Sequence, residues 1–422
     1  MTSDDTIYDV MVIGAGFAGM AAALFASAQG LKVVQAGATG GIDFSTGFID
    51  LMGVHPMEEG RRWGNPWAAI EAVVRDCPHH PYGCLEREEI AEAIDTFTDF
   101  LAQYGLEYVG HAERNSCAMT PAGTVKRTYR VPKTAWKGTL ALESKAPTLL
   151  VDFHGLKGFS GRQLVETRKH HWPNLKTVRL QFPSGSGELY PEHMAWALAN
   201  PTVREKMVAD LMPHCSDVEY VGFPAILGLN DPQHVVAHLE KLSGKHIFEI
   251  PTMPPSIAGP RLRAVFDRGL PSQGVRTLSQ KLVTESKVID DDLFQFTVGT
   301  GAAALEVKAK SAILATGRFF GKGLQADRQN ISESVFGLSV VQPENRDQWH
   351  RREFFDHKGH PANMAGVEVD KQFRPIGSSG QPVHDHLFAA GAILAHQDWM
   401  RMKCGAGLAI ATAFKAVKAI VG

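Results

Sequence analysis

Three glycines near the start of the chain carry the clearest chemistry. The run Tyr8-Asp9-Val10-Met11-Val12-Ile13 is apolar and leads into Gly14-x-Gly16-x-x-Gly19. That spacing suits a turn wrapped around a pyrophosphate. Gly14 permits the tight turn, Gly16 lets the backbone approach the phosphates, and Gly19 lets helix and strand pack closely. A helix starting there presents free N–H groups and the positive end of its dipole, so Phe17 and Ala18 would face the ligand through their backbone. The small-residue run Ala21 to Ala28 predicts that helix. Leu31-Lys32-Val33-Val34-Gln35 predicts the second strand of a βαβ start.

Two more strand-to-glycine turns lie far downstream. Lys310 to Gly317 predicts a strand ending at Thr316-Gly317, and Leu387-Phe388-Ala389-Ala390 runs into Gly391-Ala392. A last helix opens at Gly405-Ala406-Gly407 and continues through Phe414 to Ile420. Turns so widely spread do not fit one continuous Rossmann domain. They predict an α/β fold: a discontinuous, Rossmann-like dinucleotide domain of the GxGxxG type with an inserted α/β cap. The boundaries read as 1–60 and 261–422 for the cofactor domain and 61–260 for the insertion. Helical periodicity at Trp67 to Val74 and Glu89 to Tyr104 supports the insertion, as do extended runs at Thr148 and Val218 and a helix from Pro232 to Leu242.

A chain of 422 residues can build two or three cores. A formal charge of −2 offers no basic field for nucleic acid or anionic lipid. No apolar run approaches the ~20 residues that span a bilayer, and no signal peptide precedes the first strand, so a cytoplasmic protein is expected. The five cysteines are irregularly spaced, which argues against a disulfide framework. Cys77-Pro-His79-His80-Pro-Tyr-Gly-Cys84 holds metal-ligating types, but the spacing fits no common zinc pattern and two prolines stiffen it; no metal is expected.

Gly14-x-Gly16-x-x-Gly19, Ala315-Thr316-Gly317, Leu387 to Gly391 and Gly366-Val-Glu-Val-Asp370 to Arg374 together resemble the FAD-dependent oxidoreductases of the fumarate reductase type. A closer, nearly full-length resemblance is carried by Phe44-Ser-Thr-Gly47 with Asp50-Leu51, His80-Pro-Tyr82, and Phe223-Pro-Ala225 with Gly228. Pro251 to Ser256 with Arg261-Leu262, Phe319 to Leu324 and Cys404-Gly405 complete it. The set is similar to the B-subunit family of anaerobic glycerol-3-phosphate dehydrogenases. The resemblance implies a flavoprotein oxidising sn-glycerol 3-phosphate to dihydroxyacetone phosphate. It also implies a second flavoprotein subunit and a membrane-associated iron–sulfur subunit that passes electrons to quinones. The chain would then reach the inner membrane only through those partners. FMN is often given for this family, but a glycine loop on a helix N-terminus suits a pyrophosphate, so FAD is the first expectation and FMN the second. Nicotinamide chemistry is disfavoured because the later glycine motifs exceed what it requires.

Two residues depart from the flavoprotein pattern. Gln35 stands where an acidic residue would accept both ribose hydroxyls, and Ala392 stands where an acid would hold the ribityl chain. They favour a second reading, an accessory or electron-relay flavin subunit with no substrate of its own. A third keeps the flavoenzyme but gives it another anionic substrate. Alcohol oxidation by a flavin needs a base and positive charge beside the reduced ring. The Gly405-Ala406-Gly407 helix start is the candidate for that charge, with Cys404 before it, where a thiol pKa can fall. Ser45, Thr46 and Gly47 are expected beside the reactive face. Arg261, beside a proline-rich junction, is the candidate phosphate ligand, ahead of Arg263, Arg318, Arg401 and Lys403. His80 is the candidate base, with His55 and His396 behind it.

Overall fold

The computed structural model describes residues 2–38, 40–185, 187–290 and 293–422. The chain divides into two compact units. The first holds the residues up to Ile42, then Asp50–Phe97 and Phe266–Gly422; the second holds Asp43–Ile49 and Thr98–Val265.

The first unit is built on a seven-stranded sheet. Its central strand β1 (Thr2–Ile13) lies parallel to β2 (Val33–Gly37) on one side and to Leu305–Leu314 on the other. Arg276–Ser279 extends the sheet beyond β2, and Leu387–Ala389 pairs with Leu305–Leu314, both parallel. The antiparallel pair Val283–Asp290 and Leu293–Val298 completes it. Val10, Met11 and Val12 are fully buried, as an unbroken apolar run demands of a strand covered on both faces. Helix α1 (Phe17–Ala28) packs on the final helix Gly405–Val421, and alanines on both let the backbones approach. Phe25 meets Phe414 edge to face at 5.1 Å between ring centroids.

The second unit has a parallel four-stranded sheet in the order His246–Ile250, Tyr220–Pro224, Thr148–Phe153, Leu175–Leu180. Phe153, Phe223 and Phe248 fill its core beside Trp172. Asp231 caps the helix Pro232–Ser243 by accepting the His234 N–H.

These boundaries correct the expected division. Residues 61–97 belong with the sheet of the first unit rather than with the insertion, because the start of helix Arg87–Gln103 is tied there. Lys415 and Lys418 of the final helix pair with Glu89 and Glu92 at 2.7 and 3.0 Å. Phe97 packs on Phe17 and Phe266. The loop residues 43–49 go the other way: backbone bonds between Ile49 and Arg130 hold them in the second unit.

Candidate functional site

Strand register brings the glycine turns of the first unit together. Ile13 lies opposite Ala36 and Leu314, and Leu314 lies opposite Ala389. The residues that follow each strand therefore leave the same carboxyl edge of the sheet, where doubly wound folds bind ligands. Gly14 sits at φ +142°, and a Cβ there would lie 2.1 Å from the Ala315 carbonyl oxygen. A Cβ on Gly19 would come within 2.2 Å of the Gly14 carbonyl oxygen, so strand and helix touch here. Gly16 is different: a Cβ would meet nothing within 4 Å. It is also the N-cap of α1, with no side-chain capping bond and no acid in the first turn. Open space in front of an uncapped helix N-terminus is a cradle for an anion.

Gln35 is committed to the protein through its amide nitrogen. It is buried, and its Nε2 donates to the Gly14 carbonyl at 3.0 Å, bracing the glycine turn from beneath.

The later turns close on the same edge. Thr316 precedes Gly317, and its Oγ1 is buried with no hydrogen-bond partner. Such a hydroxyl is costly unless a ligand or water completes it. Gly391 takes φ +80°, its N–H donates to Thr412 Oγ1 at 2.9 Å, and a Cβ would fall 2.5 Å from that of Ala18. Ala392 is half-buried and contributes a carbonyl that accepts from Gln397 Nε2. At the start of the final helix, Gly407 donates its N–H to the Asp50 carbonyl at 2.8 Å, while Gly405 and Ala406 are half-buried. An open Gly16, an uncapped helix and an unsatisfied Thr316 hydroxyl fit a phosphate-bearing cofactor. Sequence reading passed over Thr412 and Gln397, since a lone Thr in an apolar helix gives no signal of its role.

The structure corrects all three catalytic candidates. Cys404 is fully buried, and burial, with Asp50 and Asp398 adding to it, pushes its thiol far above the usual value instead of lowering it. Native chain treated with iodoacetamide is accordingly expected to label Cys77, Cys84 and Cys117, which are partly exposed, and to spare Cys404 and Cys215. Peptide mass spectrometry checks this, and labelling of Cys404 ahead of Cys77 would reverse the assignment.

His80 is fully buried, and its Nδ1 accepts the Tyr82 N–H at 3.2 Å as the cap of the turn Pro81–Cys84. The remaining nitrogen therefore carries the proton. Burial, reinforced by His55 and His396, lowers its pKa to about 3. A histidine so placed is no general base. His55, the first reserve, is engaged by Asp76 at 2.9 Å.

Arg261 lies in the second unit with its fork committed. Nη1 and Nη2 donate to the two oxygens of Glu249 at 2.7 and 2.8 Å, and Nε donates to the Gly228 carbonyl at 2.8 Å. Both side chains are 3% exposed. Burial alone would raise the Glu249 carboxyl; the guanidinium, with bonds from Thr134 and the Leu227 N–H, outweighs it and holds the pKa below the usual range. The pair is an internal ion pair, not a phosphate ligand. Of the weaker candidates, Arg401 pairs with Asp398, and Arg318 donates to the carbonyls of Leu394 and Gln397. Burial lowers Arg318 to about 10, which leaves it charged at neutral pH. Ser45, Thr46 and Gly47 also fall in the second unit, where Ser45 Oγ accepts the Gly47 N–H at 2.9 Å.

The family described as FAD binding domain matches residues 9–408. The B subunit of anaerobic glycerol-3-phosphate dehydrogenase from Vibrio vulnificus is 29% identical, covering 98% of this chain and 96% of its own. The protein of the same name from Vibrio cholerae is 30% identical at the same coverage, and that from Pectobacterium atrosepticum is 27% identical, covering 98% of both. Among solved structures, 3-ketosteroid delta1-dehydrogenase from Sterolibacterium denitrificans aligns with a TM-score of 0.44 at 11% identity, over 98% of this chain and 99% of its own. A flavocytochrome c3 fumarate reductase aligns with a TM-score of 0.44 at 12% identity, over 99% and 79%.

Proposed function

This chain belongs to the FAD-binding-domain family, and on that premise we propose that it is a flavin-bearing subunit of an anaerobic glycerol-3-phosphate dehydrogenase. The reaction is oxidation of sn-glycerol 3-phosphate to dihydroxyacetone phosphate. Electrons leave through a second flavoprotein subunit and an iron–sulfur subunit toward the quinone pool. Near full-length similarity to proteins named as the B subunit of such enzymes supports the substrate and the partnership. The cofactor is FAD, and the observation that carries its placement is the meeting of the Gly14–Gly19, Thr316–Gly317 and Gly391 turns at one sheet edge.

Bound FAD supplies a two-electron acceptor. The N–H groups of Phe17, Ala18 and Gly19 at the start of α1 would hold its pyrophosphate, with Gly16 giving the room. Thr316 and Gly391 with Ala392 would line the cleft beside them, and the Gly405–Gly407 helix start would present N–H groups toward negative charge. Gln35 acts one step back, fixing the Gly14 turn. Among the described residues no helix is long and apolar enough to cross a membrane, so contact with a quinone-bearing membrane would come through partners.

A second reading has an observation of its own. Arg261 is committed to Glu249, and His80 and Cys404 are fully buried, which favours an electron-relay subunit fed by a partner. Anaerobic titration of the FAD-loaded chain with glycerol 3-phosphate separates the two. Loss of the yellow absorbance by the chain alone is the expected result. Loss only after a second subunit is added establishes the relay and ends the first reading.

A further inference from the structure

We propose that His79, Glu368 and His396 form a binding site for one divalent transition-metal ion of zinc type on the first unit. The three side chains come from segments far apart in sequence. His79 Nδ1 lies 3.0 Å from Glu368 Oε1, and His396 Nε2 lies 3.4 Å from the same oxygen. All three ligand atoms fall within 4.8 Å of one another. Two ligands about 2.0–2.1 Å from a tetrahedral ion stand roughly 3.3 Å apart, so little movement would admit the metal. Two imidazoles and one carboxylate match zinc, cobalt or nickel, and not the all-oxygen shells of magnesium or calcium.

Backbone bonds also hold two of the three segments. His396 occupies the left-handed region at φ +63°, and its N–H donates to the Met364 carbonyl at 3.0 Å. The Glu368 carbonyl accepts the Ile376 N–H at 3.0 Å. His396 Nε2 is buried, meets the criteria for no hydrogen bond, and faces the Glu368 carboxylate at 3.4 Å. His79 is 73% exposed and leaves one side of the site open to a solvent ion and to a fourth, water ligand. The metal would cross-link three segments: the loop before Pro81, the stretch after Gly366–Val367, and the connection between Gly391 and the final helix.

The test uses the full-length, FAD-loaded chain, stripped with a chelator and titrated with Zn2+ by calorimetry and with Co2+ by absorption difference. One equivalent is expected, with Co2+ bands of tetrahedral intensity. His79→Ala and Glu368→Gln should each remove that equivalent or weaken it by tenfold or more, while His193→Ala leaves it unchanged. Retained FAD reports that each variant is folded. Zn2+ should also raise the melting temperature of the wild type and not of His79→Ala. No uptake by the wild type, or equal uptake by wild type and both variants, overturns the proposal.

Discussion

Replacing Gly16 by leucine is expected to yield a folded but colourless protein. A Cβ at this position meets nothing within 4 Å, and the backbone, at φ −89° and ψ −170°, suits any residue, so the fold has no reason to fail. The leucine would instead fill the space in front of the α1 N-terminus. It would displace a pyrophosphate from several charge-assisted N–H bonds, which should weaken FAD by about 100-fold or more. The flavin-to-protein absorbance ratio after gel filtration measures it, with circular dichroism as the check on folding. Gly14→Ala is the contrasting case. Its Cβ would collide with the Ala315 carbonyl at 2.1 Å, and its φ of +142° is closed to alanine, so the protein itself should be lost. Normal FAD occupancy in the Gly16 variant would place the cofactor elsewhere.

Arg261→Ala is expected to destabilise the second unit by roughly 3–5 kcal/mol at neutral pH, because it strands the buried Glu249 carboxylate. Converting both partners to apolar residues, Arg261→Met with Glu249→Leu, should recover most of that loss, since neither charge is left unpaired. The pH dependence has a definite sign. Glu249 is held below its unfolded pKa, so its contribution is complete above the ordinary carboxylate range and falls away as acid protonates it. The gap between wild type and Arg261→Ala should therefore narrow on acidification. Urea melts followed unit by unit, by hydrogen exchange in Thr148–Phe153 and His246–Ile250, read both effects. A phosphate ligand would behave otherwise, raising KM for glycerol 3-phosphate in a variant of unchanged stability.

The cofactor cleft was open to sequence reading because it depends on backbone. Glycine at 14, 16, 19, 317 and 391 and the apolar strands before them announce where the chain must turn tightly. Paired strand registers then bring those turns to one edge. Side-chain roles were hidden for the same reason in reverse. Arg261 looks like a phosphate ligand until Glu249, twelve positions upstream, is found across a bidentate bridge. Gln35 looks like a defective ribose ligand until its amide is found under Gly14. His79 and Glu368 are separated by 289 residues, a distance no spacing rule reaches. The boundary near residue 97 was equally invisible, since it is set by pairing of Glu89 and Glu92 with the last helix rather than by any change in composition.

The position of β1 between β2 and Leu305–Leu314 has a consequence for biosynthesis. During translation this strand is made before the second unit, yet the partner for its second edge is made only after Val265, when the other unit is already complete. At ordinary ribosome speeds that edge stays unpaired for tens of seconds, an apolar strand available to any neighbour. The polypeptide should accordingly lean on chaperones at this strand, and slowing elongation between codons 266 and 305 should increase its aggregation.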